Sequence, residues 1–230
     1  MIVWLASYPR SGNTHLRAAL HHVYGMNTYS VYDDPVEKDI AVADVVGQSK
    51  LPANIPELRA SRDVFFVKTH ELPVDECPAI YVVRDGRDAL VSHARYLQTF
   101  RTKRRRFSWL HNSRKEFERT LRKLIAEKPQ FGGWSRHVEQ WTKRAGPTVL
   151  VRFRNLIAQP QLEVERAFAQ LDFPVPAKDG GKVPAFEELH AKNPQFFRKG
   201  KVGVWREEMP EHLHQLFLQH NEQTLKELGL

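Results

Sequence analysis

Short apolar runs and longer amphipathic stretches take turns along the chain. "IVWLAS" (Ile2 to Ser7), "DVFFVKT" (Asp63 to Thr69), "AIYVVR" (Ala79 to Arg84) and "TVLVRF" (Thr148 to Phe153) are brief and rich in β-branched and aromatic residues. Runs of this length suit strands buried on both faces, as in a parallel sheet. Leu16, Ala19, Leu20 and Val23 keep helical spacing behind the first run, as do Phe117, Leu121, Leu124 and Ile125 further on, and then Trp134, Val138 and Trp141. Strand followed by helix predicts an α/β fold, a parallel β-sheet flanked by helices. Between Val31 and Asp63 the Pro and Asp content predicts loops and short helices over the sheet. There is no internal repeat and no long low-complexity tract.

Composition narrows this picture. A chain of 230 residues with 41% hydrophobic content can bury a full core, and its length predicts one domain over residues 1–230. The net charge of +8 favours anionic partners without choosing among nucleotides, nucleic acid or an acidic surface. The single cysteine, Cys77, excludes an internal disulfide framework and a multi-cysteine metal site, and suits a reducing compartment such as the cytoplasm. The start, "MIVWLASYPR", has no basic region of a signal sequence, and no segment approaches the ~20 apolar residues that span a bilayer. A soluble cytoplasmic protein without a transmembrane segment is expected.

The charge matters by location. Directly after the first strand comes "SYPRSGNTHLRAAL" (Ser7 to Leu20), a turn that restarts as a helix. Such a turn aims backbone N–H groups and the positive end of the helix dipole at one point, which suits an anion. Gly12 lets the backbone approach closely, Ser11 and Thr14 offer hydroxyls, and Arg10 adds a planar fork of donors. The Walker pattern G-x-x-x-x-G-K-[ST] fails here: Ser7 stands at its first Gly, and Asn13 replaces the lysine that reaches the β and γ phosphates. A nucleoside-triphosphate site with magnesium is disfavoured.

Three further patches carry related chemistry. "VKTHE" puts Lys68 and His70 at the carboxyl end of a strand, where ligands bind in open α/β folds. "YVVRDGRDALVSHARY" reads as a strand, a charged turn and a helix, with Arg84 at the strand end and Ser92 two turns into the helix. "FFRKGKVGVWR" gathers Arg198, Lys199 and Lys201 around Gly200 and Gly203, a basic loop able to wrap a phosphate.

In this order, "YPRSGNT", "KTH", "YVVRDGRDALVS" and "RKGKVGVW" resemble the four signature segments of the sulfotransferases that use 3′-phosphoadenosine-5′-phosphosulfate (PAPS). "GGWSRHVEQW" (Gly132 to Trp141) and "VLVRFRNLIAQP" (Val149 to Pro160) resemble later segments of that family, so the likeness runs from about residue 2 to about residue 205. The resemblance implies that Arg10, Ser11, Gly12, Asn13 and Thr14 surround the 5′-phosphosulfate. Arg84 and Ser92, with Arg198, Lys199 and Gly200, would grip the 3′-phosphate. It further implies in-line sulfuryl transfer without a metal, with Arg10 and Lys68 stabilising the leaving oxygen, His70 as general base, and adenosine 3′,5′-bisphosphate as product. Glu71 is the neighbouring alternative base. Where the family commonly has Lys, Trp, Tyr and Asp, this chain has Arg10, His15, Phe153 and Val204. His15 and Phe153 would lie beside the adenine.

The acceptor is left open by the sequence: a small molecule, or a glycan-like or lipid-like compound, with a hydroxyl or amine. The acidic group Asp33, Asp34, Glu37 and Asp39 and the basic run "RTKRRRF" (Arg101 to Phe107) could bear on its choice. A nucleic-acid-binding module would account for the charge but needs neither "KTH" nor Arg84 and Ser92 at these places. A P-loop kinase would account for the start but needs magnesium and a lysine at Asn13. Nucleic acid is therefore not an expected partner.

Overall fold

The computed structural model describes residues 1–32, 40–104, 113–126, 131–174, 177–178, 180–194 and 197–230. Its strands are β1 (Ile2–Ser7), β2 (Tyr29–Ser30), β3 (Phe65–Thr69), β4 (Ala79–Val83) and β5 (Thr148–Arg152). They form one five-stranded sheet in the order β2-β3-β1-β4-β5, with every pairing parallel. The helices are α1 (Asn13–Tyr24), α2 (Ile40–Val45), α3 (Ile55–Ala60), α4 (Gly86–Arg104), α5 (Ser113–Ala126), α6 (Trp134–Thr142), α7 (Phe153–Ala158), α8 (Pro160–Gln170), α9 (Phe186–Lys192), α10 (Trp205–Glu208) and α11 (Glu211–Leu228).

Alternation along the strands builds the two halves of the core. Trp4, Ala6, Tyr81 and Val83 face one layer, formed with Val91 of α4, Leu121 of α5, Trp141 of α6 and Phe217 of α11. Val3, Leu5, Ile80 and Val82 face the other, formed with Leu16 and Leu20 of α1, Leu156 of α7 and Phe168 of α8. All residues of β1 and β4 are buried, which is why these strands read as unbroken apolar runs.

β1 sits in the middle of the sheet. From its carboxyl end the chain passes through α1 towards β2, whereas from β4 it passes through α4, α5 and α6 towards β5. The two connections leave on opposite faces, so a crevice opens at the carboxyl edge between β1 and β4, the usual ligand position in such sheets. Arg10, Lys68, His70 and Arg84 all lie just at or beyond strand ends on that edge. The α/β expectation and all four expected strands hold, and short helices α2 and α3 stand where loops and short helices were expected. The acidic group Asp33 to Asp39 lies outside the described residues, as does the last part of the basic run, from Arg105.

Candidate active site

The loop after β1 owes its shape to two left-handed residues. Arg10 has φ 66°, and Gly12, the N-cap of α1, has φ 111°. The Ser11 N–H donates to the Tyr8 carbonyl at 3.2 Å, closing the turn. Gly12 brings no side chain to cap α1; the His15 N–H turns back to the Gly12 carbonyl at 3.0 Å, and the first-turn N–H groups ahead of it, at Asn13 and Thr14, suit an anion. A Cβ on Gly12 would lie 2.5 Å from Cδ2 of Phe153, so the ring of Phe153 closes over the loop. Asn13 is buried, and its amide donates to the Leu5 carbonyl at 2.7 Å and to Ser7 Oγ at 3.3 Å. The side chain at the Walker-lysine position therefore ties the loop to β1.

A cavity of about 700 Å³ opens above this loop. Every residue that the family resemblance assigns to PAPS or to the transfer step lines it except Ser11, which is 1% exposed and has a buried hydroxyl with no partner among the described residues; Glu71, the alternative base, and Lys201 of the basic loop do not line it. The Arg10 guanidinium donates from Nε to Ser92 Oγ at 3.3 Å and lies 4.9 Å from the centre of the Tyr96 ring. Burial, with Arg84 and Arg198 nearby, pulls it down to about 10, so it stays charged at neutral pH. Lys68 is almost buried at the end of β3, 5.4 Å from the centre of the Tyr32 ring. His15 has its Nε2 buried without a partner among the described residues, and burial lowers its pKa.

Arg84 joins the two basic loops. It donates to the Arg10 carbonyl at 3.2 Å and to the Lys201 carbonyl at 2.7 Å, and it stacks 4.5 Å from the centre of the Phe153 ring. Asp88, 1% exposed, accepts the N–H of Gly203 at 2.7 Å and of Trp205 at 3.0 Å, and so fastens the second basic loop to α4. Arg198 pairs with Glu208 at 2.6 Å, while Lys199 reaches both Glu207 and Glu208 at 3.1 Å. Burial would raise the Glu208 carboxyl, but hydrogen bonds from Arg198, Arg95 and Lys199 outweigh it and hold the group at about 2. Gly200 takes φ 60° at the bend of this loop.

His70 is held on three sides. Nδ1 lies 2.7 Å from the Ser7 carbonyl, which can only accept, so Nδ1 carries the proton and Nε2 keeps a lone pair. The backbone N–H of His70 donates to the Tyr32 hydroxyl at 2.7 Å, and the two rings stack with centroids 5.7 Å apart. Phe131 meets the imidazole edge-on at 5.8 Å. Burial first, and then the charge of Lys68, push the His70 pKa well below 6.5. The imidazole is thus neutral at neutral pH. Glu71 carries no comparable constraint: its carboxylate accepts a long 3.4 Å hydrogen bond from the Tyr32 hydroxyl.

Tyr32, Tyr96, His93 and Phe131, which line the cavity, and Glu208, which holds the basic loop, are not legible in the sequence. None of these sits in a motif of its own. Asp88 did carry a signal, as the second acid of "VRDGRD" beside Arg84.

An α/β sheet whose carboxyl edge gathers Arg10, Lys68, Arg84, Arg198, Lys199 and a neutral histidine around one crevice suits an anionic ligand. The chain belongs to the sulfotransferase family, since the family profile described as "Sulfotransferase domain" matches residues 2–229. It is similar to mouse sulfotransferase 1E1, 23% identical over a gapped alignment of 254 positions that covers 97% of this chain and 83% of that protein. Mouse sulfotransferase 1 family member D1 is 23% identical over a gapped alignment of 240 positions, covering 89% of this chain and 76% of that protein. Among solved structures, mouse sulfotransferase SULT7A1 complexed with PAP shares the fold with a TM-score of 0.63 at 17% identity, over 97% of this chain and 83% of that one. A retinol dehydratase in complex with androsterone and inactive cofactor PAP does so with a TM-score of 0.58 at 19% identity, over 98% of this chain and 80% of that one. Among the described residues no helix is long and apolar enough to cross a membrane.

Proposed function

We propose that this sulfotransferase moves the sulfuryl group of PAPS to a hydroxyl or amine of a small acceptor, with His70 as general base. The observation that carries this reading is the convergence of five cationic side chains and one neutral imidazole on a single cavity. Lys68 stands at the end of β3 beside Tyr32, while the Arg10 guanidinium, bonded to Ser92, lies among Arg84, Ser92, Arg198, Lys199 and Gly200. A doubly anionic nucleotide fits this set: the uncapped N-terminus of α1 suits the 5′ end, and the Arg84-centred group suits the 3′-phosphate. His15, with an orphaned buried Nε2, and Phe153 are placed to meet the base.

PAPS supplies a sulfuryl group joined to a phosphate leaving group. The acceptor oxygen forms a bond to sulfur as the bond from sulfur to the bridging oxygen breaks, and the acceptor proton passes to His70 Nε2. The charge left on the bridging oxygen is met by Arg10 and Lys68, contacts of a kind worth roughly 2.7–4 kcal/mol each in the transition state. No step in this scheme calls for a metal. The lone pair of Nε2 is available because Ser7 holds Nδ1–H, and the depressed pKa keeps the base unprotonated.

The aromatic rings of Tyr32 and Phe131 against His70 suit an acceptor with a flat apolar face. A lipid-like acceptor is in keeping with the retinol dehydratase complexes, which hold androsterone or retinol. We assign the activity to one domain over residues 1–230, acting in the cytoplasm. Thermal melting tests the reading: adenosine 3′,5′-bisphosphate at 100 times its Kd should add about 2.7 kcal/mol of stability. A shift with ATP and magnesium or with short DNA, and none with the bisphosphate, would overturn it.

A further inference from the structure

Helix α6 lies across the carboxyl edge of the sheet and presents three side chains on one face. Trp134, His137 and Trp141 are at most 1% exposed, and each donates an N–H to a backbone carbonyl just beyond a strand. Trp134 Nε1 donates to the Arg84 carbonyl at 3.2 Å, His137 Nε2 to the His70 carbonyl at 2.9 Å, and Trp141 Nε1 to the Glu71 carbonyl at 2.9 Å. The helical rise takes Trp134 and Trp141 about 10 Å apart. That matches the roughly 9.6 Å between β4 and β3, two strand spacings with β1 between them. Tyr8, at the end of β1, fills the middle with its ring edge-on to His137 at 5.6 Å.

The hydrogen bonding of His137 has one solution. The His70 carbonyl can only accept, so Nε2 carries the proton, and Nδ1 must then accept from the Tyr81 hydroxyl at 2.9 Å. Tyr81 is itself fixed by stacking on Trp141 with an interplanar angle of 13°. The chain of contacts therefore runs from the middle of β4 through His137 to the backbone of His70, whose ring is held from the other side by Ser7.

We propose that His137 is a positioning residue for the reaction: its Nε2–H on the His70 carbonyl, flanked by Trp134 on Arg84 and Trp141 on Glu71, sets the backbone from which the base projects. This rests on the assignment of His70 as base. A core histidine that merely satisfies its own polar atoms would not need to choose the carbonyl of that residue, 67 positions away in sequence.

The test uses the full chain with 15N-labelled histidine near neutral pH, with His70 and His137 signals assigned by substitution. The wild type should show His137 as the Nε2–H tautomer and His70 as the Nδ1–H tautomer. A Nδ1–H tautomer for His137 would overturn the proposal with no variant needed. In His137→Phe the His70 signals should move to a tautomer mixture, while adenosine 3′,5′-bisphosphate Kd stays within about twofold, because Arg84 keeps its contact with Trp134. His137→Gln, which can still donate to the His70 carbonyl, should restore the Nδ1–H tautomer. Unchanged His70 signals in a folded His137→Phe variant would overturn the proposal. If that variant does not fold, Tyr81→Phe, which removes only the hydroxyl, takes its place: it should loosen the tautomers of both histidines, and unchanged signals in both would overturn the proposal. With PAPS and 2-naphthol as probe acceptor, kcat of His137→Phe should fall about tenfold with KM for PAPS little changed, the size of one lost hydrogen bond. Retained turnover in His70→Ala would instead overturn the base assignment, and the tautomer results separate the two failures.

Discussion

A Cβ placed on Gly12 would stand 2.5 Å from Phe153 Cδ2, and Gly12 itself has φ 111°. The glycine is thus required twice, once by backbone conformation and once by the ring packed against it. A third cause, close approach of the backbone to an anion, is the one visible in the motif itself. Gly12→Ala should lower stability by about 1–3 kcal/mol through backbone strain, with a further loss from the clash. It should also weaken adenosine 3′,5′-bisphosphate at least tenfold, by turning the first N–H groups of α1 away from the ligand. In denaturant melts of a double-mutant cycle with Phe153→Ala, the clash should appear as coupling between the two positions, whereas the strain should persist without the ring.

Asp88 offers a second check because it fastens the loop that carries Arg198, Lys199 and Gly200. Its two carboxylate oxygens accept separate backbone N–H groups, and an amide can accept only one of them without placing donor against donor. Hydrogen bonds to a charged group contribute about 1.5–3 kcal/mol, so Asp88→Asn should weaken the bisphosphate roughly ten- to hundredfold. Adenosine 5′-monophosphate, which has no 3′-phosphate, should lose far less. Calorimetric titration of both ligands reads the difference, and equal losses would remove Asp88 from 3′-phosphate binding.

Much of this was legible because it is local. β1 begins and ends where its apolar run does, and the charged residues that follow β1, β3 and β4 stand at strand ends by chain order alone. β2 was not legible: two residues, Tyr29 and Ser30, become a strand only by pairing with Val67 and Lys68 of β3. Tyr32 reaches His70 through that same pairing, and Phe131 reaches it from just ahead of α6, so no stretch of sequence could announce their meeting. α11 did leave a trace, since Leu213, Phe217, Leu225 and Leu228 fall on one helical face and are buried. His137 lay unremarked inside a recognised helix, because its partner is a backbone carbonyl, which no side-chain pattern reveals.

Arg10 invites a kinetic test. Its guanidinium is fixed by Ser92 and Tyr96 rather than free to follow a ligand. Arg10→Gln keeps a donor but removes the charge, and kcat with a probe phenol should drop about 10²- to 10³-fold, as for loss of one preorganised transition-state contact. KM for PAPS should change less, because Lys68 and the α1 N-terminus remain. A loss confined to KM would mean that Arg10 binds the ground state and transition state alike.

The buried histidines make stability fall in acid in a defined window. Burial holds His93 and His137 at about 4, and burial with Lys68 nearby holds His70 well below 6.5. Each regains an ordinary value near 6.5 on unfolding. Between about pH 6.5 and pH 4 the unfolded chain therefore binds protons that the folded chain refuses, and unfolding free energy falls as pH is lowered. Each such histidine contributes a slope of about 1.4 kcal/mol per pH unit where the two states differ by a full proton. Glu208 extends the decline: held at about 2 in the folded chain, it loses its stabilising contacts between the ordinary carboxylate range and that value. Urea melts at a series of pH values from 7 to 4 should show this slope, and His93→Phe should reduce it by one proton's worth near pH 5. A slope unchanged by that substitution would mean that His93 titrates normally in the folded protein.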